Sequence, residues 1–435
     1  EFIDSLYFTS ETELNIITHG DYFLNKYFTG DFFILPKHIY DEKDLLSQFS
    51  IKDLRTDGID SSSKVLQEFI ESFNNTKFKK EQVFIIGSGP YELKTWESNK
   101  RIVLSKKKDW WGSSLGEENN LFHQYPNQIQ YEIIGDDNSA LAALKSGNID
   151  LIKTVPPKEF NKLKENEQLE TELAIKSGYD YIGFNIKNKA LSFNGVRTAL
   201  AHMINKAEYI EKVYYGLAKE SKTPIPSSQQ TLINKNLKTI EFSVDSAKMI
   251  LTRLGWTDSN KNGILDNSID GELVELDFTY LFNSNDEKRK SFGLILQKRT
   301  KQIGIKINLQ AAEWSNYLEQ VRNGGFDIFY GSKGMAPIPP DFFPSFHSTA
   351  ANGGRNYSKY VSSLSDSLIE AIRNSNNAEE RIEYFKAFQE QLNNDLPIYV
   401  LLEPMETFVY SNKLKPIRTS SIRPNYWAPS IQFKN

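Results

Sequence analysis

Along this chain the apolar positions change period repeatedly, from two residues to nearly four and back, and each change marks an element. Phe2, Leu6 and Phe8, then Leu14 and Ile16, alternate with polar residues and predict two strands at the front. An aromatic segment follows at 21–28, and Leu35-Pro36-Lys37-His38 predicts the entry to a helix. Apolar residues at helical spacing predict helices over 65–73 and 140–144, the second closed by Gly147 as helix C-termini are. Tyr91, Leu93 and Thr95 alternate with Glu92, Lys94 and Trp96, and Ile102, Val103 and Leu104 supply a partner strand. Gly87 and Gly89 suit a tight turn at positive φ, and Pro90 fixes φ where the strand opens.

From 179 onward the alternation becomes regular. Tyr179-Asp-Tyr-Ile-Gly-Phe-Asn185 is apolar or aromatic on both faces, which predicts a buried strand crossing between lobes, with a hinge there. Val196, Leu200, Met203 and Ile204 lie on one face of an amphipathic helix. Strands are predicted at 273–281, 305–309, 326–330 and 398–402, with helices at 292–303, 314–321 and 379–392. Strands and helices alternating at this spacing predict an α/β fold, and 435 residues exceed what one core supports. The division expected is 1–183 for a first lobe, 184–405 for a second, and 406–435 for a segment returning through Tyr426-Trp427 to the first.

Composition narrows the function classes. With 39% hydrophobic and 25% charged residues the chain reads as globular, and a net charge of −4 argues against nucleic acid as partner. The short run Lys106-Lys107-Lys108 suits a solvated strand edge. No cysteine is present, so disulfides, thiolate catalysis and cysteine-held metals are excluded. No run of apolar residues is long enough to span a membrane, and the chain opens at Glu1 without Met, as a processed or trimmed form would. The five histidines are dispersed, and no Gly-x-Ser-x-Gly or Walker loop occurs. His202 suits a surface or capping role. Asp136-Asp137 and Glu117-Glu118 are adjacent carboxylates, which point to opposite faces of a strand and make poor acid and base partners. No catalytic residue, metal or cofactor is expected.

The stretch Gly87-Ser-Gly-Pro-Tyr-Glu-Leu-Lys-Thr-Trp, continuing through Arg101-Ile-Val-Leu to Trp110-Trp-Gly112, resembles the family 5 extracellular solute-binding proteins of ABC importers. Val155-Pro156-Pro157, the run from Phe193 through Val196-Arg197 to Ile204-Asn-Lys206, and Leu254-Gly255-Trp256 occur in the family's order. The resemblance implies a two-lobed periplasmic-binding-protein-like fold of the large dipeptide and oligopeptide class. It implies capture of a small ligand, an oligopeptide or similar, by hinge closure, and delivery to a membrane permease. It also implies a monomer in the periplasm or outside the cell, with lipid anchoring as one form, and an absent front part of the first lobe. A receptor or scaffold that kept the fold and binds a protein or surface polymer is the alternative.

Two loops invite sharper readings. Asp258, Asn260, Asn262 and Asp266, with Gly263 sixth, begin like a calcium loop, but Ile269 stands where a bidentate Glu is needed. A structural turn is the favoured reading, with weak calcium binding left open. The other is Gly331-Ser-Lys-Gly-Met335, which leads to Phe343-Pro-Ser-Phe-His347. Peptide-binding members carry an Asp where Met335 stands, and Met makes no charge-assisted bond to an α-amino group. Met335 is equally part of a wall for an apolar or sugar-like ligand, or for a peptide held mainly through its backbone, and a residue that simply packs against the loop. The resemblance places Tyr330, Ser332, Lys333 and Met335 at the ligand-facing strand end and Asn356 and Tyr357 in a closing loop, with Tyr181 and Asn185 from the hinge strand.

Overall fold

In the computed structural model, residues 3–51, 53–54, 63–116 and 119–434 are described. Phe2 and the Glu117-Glu118 pair lie outside them. The front alternation folds as the hairpin of strands Ile3–Phe8 and Leu14–Thr18. A three-stranded antiparallel sheet follows, built from Tyr91–Glu97, Arg101–Lys106 and Gln128–Glu132.

The family-like stretch closes on itself. The indole N–H groups of Trp110 and Trp111 both donate to the carbonyl of Ser88, at 2.7 and 2.9 Å, so the aromatic pair pins the glycine turn. A side chain at Gly112 would collide with the Trp110 ring. Neither Gly87 nor Gly89 is among the glycines at positive φ, so the turn uses ordinary backbone and the expectation of left-handed glycines there is corrected.

One strand organises the rest. Ile398–Ser411 runs for 14 residues, far beyond the expected 398–402. Its first part pairs with Gly178–Phe184 and Ala218–Glu220, and its second with Leu169–Ile175 and Leu151–Lys153. The exchange of partners falls at Pro404, whose ring nitrogen has no proton to give to a ladder, while Met405 N–H turns to the carbonyl of Leu217. The chain crosses the same level in the opposite direction through residues 175–178, where Lys176 N–H bonds the Pro404 carbonyl. These two passages join the two lobes of an α/β fold.

In the larger lobe the strands run in the order Lys306–Ala312, Asp277–Asn283, Ile328–Gly334, Gly178–Phe184, Ile398–Ser411. The first three are mutually parallel and the next pairings antiparallel. The apolar run at 273–281 breaks at Leu276 into a hairpin arm, Glu272–Glu275, and the sheet strand Asp277–Asn283. Glu287–Thr300 starts five residues before the expected helix, because Asp286 caps Lys288 and Arg289 N–H groups with its side chain.

Both faces of this sheet are covered. One buries Ile182, Phe184, Phe278 and Leu402 against Asn194–His202, Val244–Arg253 and Glu287–Thr300. The other buries Tyr179 and Val400 against Phe385 and Phe388 of Ala378–Asp395 and Phe342, which precedes the short helix Phe343–Phe346. Strand Gly178–Phe184 therefore carries apolar side chains on both sides, as its sequence predicts. In the smaller lobe, Asp137–Lys145 and Pro157–Leu163 pack on Val409 of the long strand. No helix among the described residues is long and apolar enough to cross a membrane.

Candidate ligand-binding site

The three parallel strands point their carboxyl ends the same way, and the helices Glu287–Thr300 and Trp314–Asn323 begin where two of them stop. Open α/β sheets hold ligands at this carboxyl edge, because loops diverge there and helix N-termini point inward. Strand Ile328–Gly334 projects past Asp277–Asn283, which pairs with it only at Ile328 and Phe329. Its residues 330–334 thus stand at the mouth, paired on the other side with Gly178–Ile182.

Beneath the mouth lies a buried polar knot. Tyr214 and Tyr330 hydroxyls donate to Asp180 Oδ2 at 2.5 and 3.0 Å, and Tyr209 donates to the Tyr330 oxygen at 3.2 Å. Burial first, and the Asp180 charge second, push the Tyr214 and Tyr330 phenols well above their ordinary pKa. The Tyr317 hydroxyl donates to the Tyr330 carbonyl at 2.5 Å. These bonds hold the strand end rigidly.

Arg289 sits on top of the knot, with 8% of its surface exposed. Its guanidinium lies 5.7 Å from the Tyr317 ring centre and 5.5 Å from that of Tyr330, and Nη2 donates to Ser332 Oγ at 3.2 Å. Burial lowers its pKa, but Tyr317, Asp286 and Asp180 outweigh that and the net shift is upward. Asp286 Oδ2 stands 3.2 Å from Nε, yet neither Nε nor Nη1 completes a hydrogen bond. Two further buried polar atoms lack partners, Asn283 Oδ1 at the end of its strand and Ser177 Oγ in the lobe passage. Buried donors and acceptors left open at a cleft mouth are places for a ligand.

The expected site residues divide between roles. Ser332 is exposed at the mouth beside Arg289. Tyr181 is half-buried, with its ring covering Gly331, edge-on to Phe329 at 5.6 Å. Tyr357 is half-buried against the same Phe329. Tyr330 is fully buried and belongs to the knot. Lys333, on the opposite strand face from Ser332, donates to Ser345 Oγ at 2.8 Å. Met335 is half-buried against the cluster of Tyr179, Phe342 and Phe346, which is the packing alternative.

The two asparagines bind backbone rather than the mouth. Asn185 Nδ2 donates to the carbonyls of Gly324 and Phe326. Asn356 is wholly buried and ties His347 and Tyr360. Arg289 and Asp180 are the residues that sequence reasoning missed. The signal for Asp180 was a carboxylate inside an otherwise apolar strand; Arg289 offered only a cation in a first helical turn.

The Asp258 loop closes with its own amides. Asp258 Oδ2 accepts from Gly263 N–H, Asn260 Oδ1 from Asn262 N–H, and Asn262 Oδ1 from Ile264 N–H. Asp136 caps the helix Asp137–Lys145 through Ser139 N–H, and His202 Nδ1 donates to the Glu241 carbonyl at 2.6 Å. Among the described residues no three His, Cys, Asp or Glu side chains form a metal-holding group.

Two-lobed α/β architecture with a ligand mouth at the carboxyl edge of one lobe defines the class of hinged binding proteins. The chain belongs to the bacterial extracellular solute-binding proteins, family 5, whose profile matches residues 19–355. It is 27% identical over 412 residues to the oligopeptide-binding protein AppA of Bacillus subtilis, covering 91% of this chain and 68% of that protein. It is 22% identical to the dipeptide-binding protein of Escherichia coli, covering 77% of this chain and 57% of that protein. Among solved structures, AppA of B. subtilis in complex with a nonapeptide matches 100% of this chain and 79% of its own, at 24% identity and a TM-score of 0.71. A putative peptide-binding protein from Clostridium difficile matches 99% of this chain and 79% of its own, at 20% identity and a TM-score of 0.77. The chain thus spans between 57 and 68% of the length of these two curated relatives.

Proposed function

We propose that this protein is the ligand-capturing component of an ABC importer, working outside the cytoplasmic membrane and delivering a small ligand, such as an oligopeptide, to a membrane permease. The observation that carries the reading is the family match across residues 19–355. The relatives' peptide-binding names and the open Arg289 donors at the carboxyl edge support it. The ligand would touch Arg289, Ser332, Tyr181 and Tyr357, with Lys333 and Met335 bordering it, while Asp180 and Tyr330 hold the strand beneath. Asn185 and Asn356 would act by shaping loops.

The lobes would divide at residues 175–178 and at Pro404, close to the 183/184 and 405/406 divisions read from the sequence. Closure about these two passages would follow from contacts that a ligand makes to both lobes, since only differential affinity shifts such an equilibrium. Thermal unfolding against libraries of peptides, sugars and metal chelates tests the reading. A ligand at a hundred times its dissociation constant should stabilise by about 2.7 kcal/mol through mass action. No stabilisation by any small ligand, together with capture of a protein partner, would favour the scaffold alternative instead.

A further inference from the structure

Behind the mouth lies a cavity of about 730 Å³. Lys415, Arg418, Arg423 and His123 line it together with Tyr426 and Trp427, and no acidic side chain does. Neither Arg418 nor Arg423 is ion-paired among the described residues, and Lys415 meets only the neutral Gln432. Arg423 is exposed, and its Nη2 lies 3.1 Å from where a side chain would begin at Gly334. Gly334 and Ser332 are on the same face of their strand, about 7 Å apart along it. Ser332 is the residue that accepts from Arg289. One strand end is therefore flanked by two guanidinium groups, one from the larger lobe's helix and one from the returning segment.

Carboxylates near this face are already engaged. Asp180 accepts from two tyrosines and Asp286 caps its helix. Asp341 is held by Tyr22 and stands 3.5 Å from Arg373. A second cavity of about 860 Å³, meeting the first at Tyr125 and Tyr426, is lined by Asp136, Asp137 and Asp150. Neither Arg289 nor Arg423 lines it.

We propose that the ligand is net anionic, an acidic peptide whose carboxylates meet Arg289 and Arg423 and whose remainder enters the acid-free cavity. This rests on the ligand-capturing reading above. Two planar guanidinium forks with open N–H groups match carboxylates bidentately. Asp286 faces Arg289 at 3.2 Å, but Arg423 has no carboxylate partner among the described residues, and its positive charge disfavours a cationic ligand. A ligand bridging both would also touch both lobes, so the same contacts that select for negative charge would close the molecule.

Calorimetric titration of the whole chain with Ala-Glu-Ala-Glu-Ala, Ala-Gln-Ala-Gln-Ala and Ala-Lys-Ala-Lys-Ala tests this. The acidic peptide should bind roughly tenfold or more tightly than the neutral one, as a charge-assisted contact implies, and the basic peptide weakest. The advantage should shrink as salt is raised. Arg423→Gln, at an exposed position that leaves the fold intact, should erase the gap between acidic and neutral peptides, and Arg289→Gln should do the same. Equal binding of all three, or a gap that survives Arg423→Gln, overturns the anionic assignment while the capture of ligands stands. No binding of any of the three, with no small molecule retained on purification, overturns the capture reading and this inference with it.

Discussion

Arg197 explains the Val-Arg pair that marks the family. Its guanidinium is buried and donates to the carbonyls of Leu191, Ser192, Asp395 and Leu396, tying a helix start to the entry of the long strand. Burial pulls its pKa down to about 10. Arg197→Ala removes the donor from four carbonyls, two of them in fully buried bonds, so chemical denaturation should show a loss of roughly 3 kcal/mol. Two lysines make a different prediction. Burial pushes Lys333 and Lys206 down to about 8 from 10.5. Above pH 8 the unfolded chain then holds more protons than the folded one, so stability rises with pH. Near pH 10 the buried tyrosines, whose pKa values are raised, begin to oppose the rise, because their unfolded phenols ionise first. Melting temperature should climb between pH 8 and 10, and less steeply in Lys333→Met. A flat profile would contradict the burial of both ammonium groups.

Among the elements, periodicity located most helices and strands, but their ends were set by single residues outside the pattern. Asp286 started its helix early, Leu276 split a strand, and Pro404 did not end one, because the long strand only exchanges partners there. Pro is ordinarily a strand breaker, so no local signal in the sequence announces that the ladder continues. Site legibility followed the same line. Ser332 and Tyr181 stand at the strand end, whereas Asn185 and Asn356, expected from their places in the sequence, donate their side-chain amides to backbone carbonyls. Arg289 stayed hidden because only tertiary structure brings its helix start to the strand end 43 residues later. Two single positions in these elements give predictions. A side chain at Gly183 would overlap the Phe329 ring, so Gly183→Ala should cost about 1–3 kcal/mol. Asn377 caps Ala378–Asp395 through Glu379 and Glu380 N–H groups, and Asn377→Ala should cost about 1 kcal/mol. Thermal unfolding of both variants checks the pair.

At the scale of the whole molecule, two passages, the long strand at Pro404 and residues 175–178, join two lobes, and the candidate ligand mouth opens at the carboxyl edge of the larger. In the larger lobe the hydroxyls of Tyr209, Tyr214 and Tyr330 are all bonded around Asp180, tying Gly178–Phe184 to Ile328–Gly334. Closure, as proposed, would pivot at residues 175–178 and at the long strand near Pro404. Ligand contacts to Arg289 on one side and Arg423 on the other would couple binding to closure, and small-angle scattering should then show a smaller radius of gyration with ligand than without. The central claim is that a small molecule is captured at this mouth. Native mass spectrometry of the protein as purified tests it most directly. The account predicts a discrete added mass that leaves on denaturation and is lost or diminished in Arg289→Gln. A bare chain mass, with no small ligand able to raise the melting temperature, would contradict it.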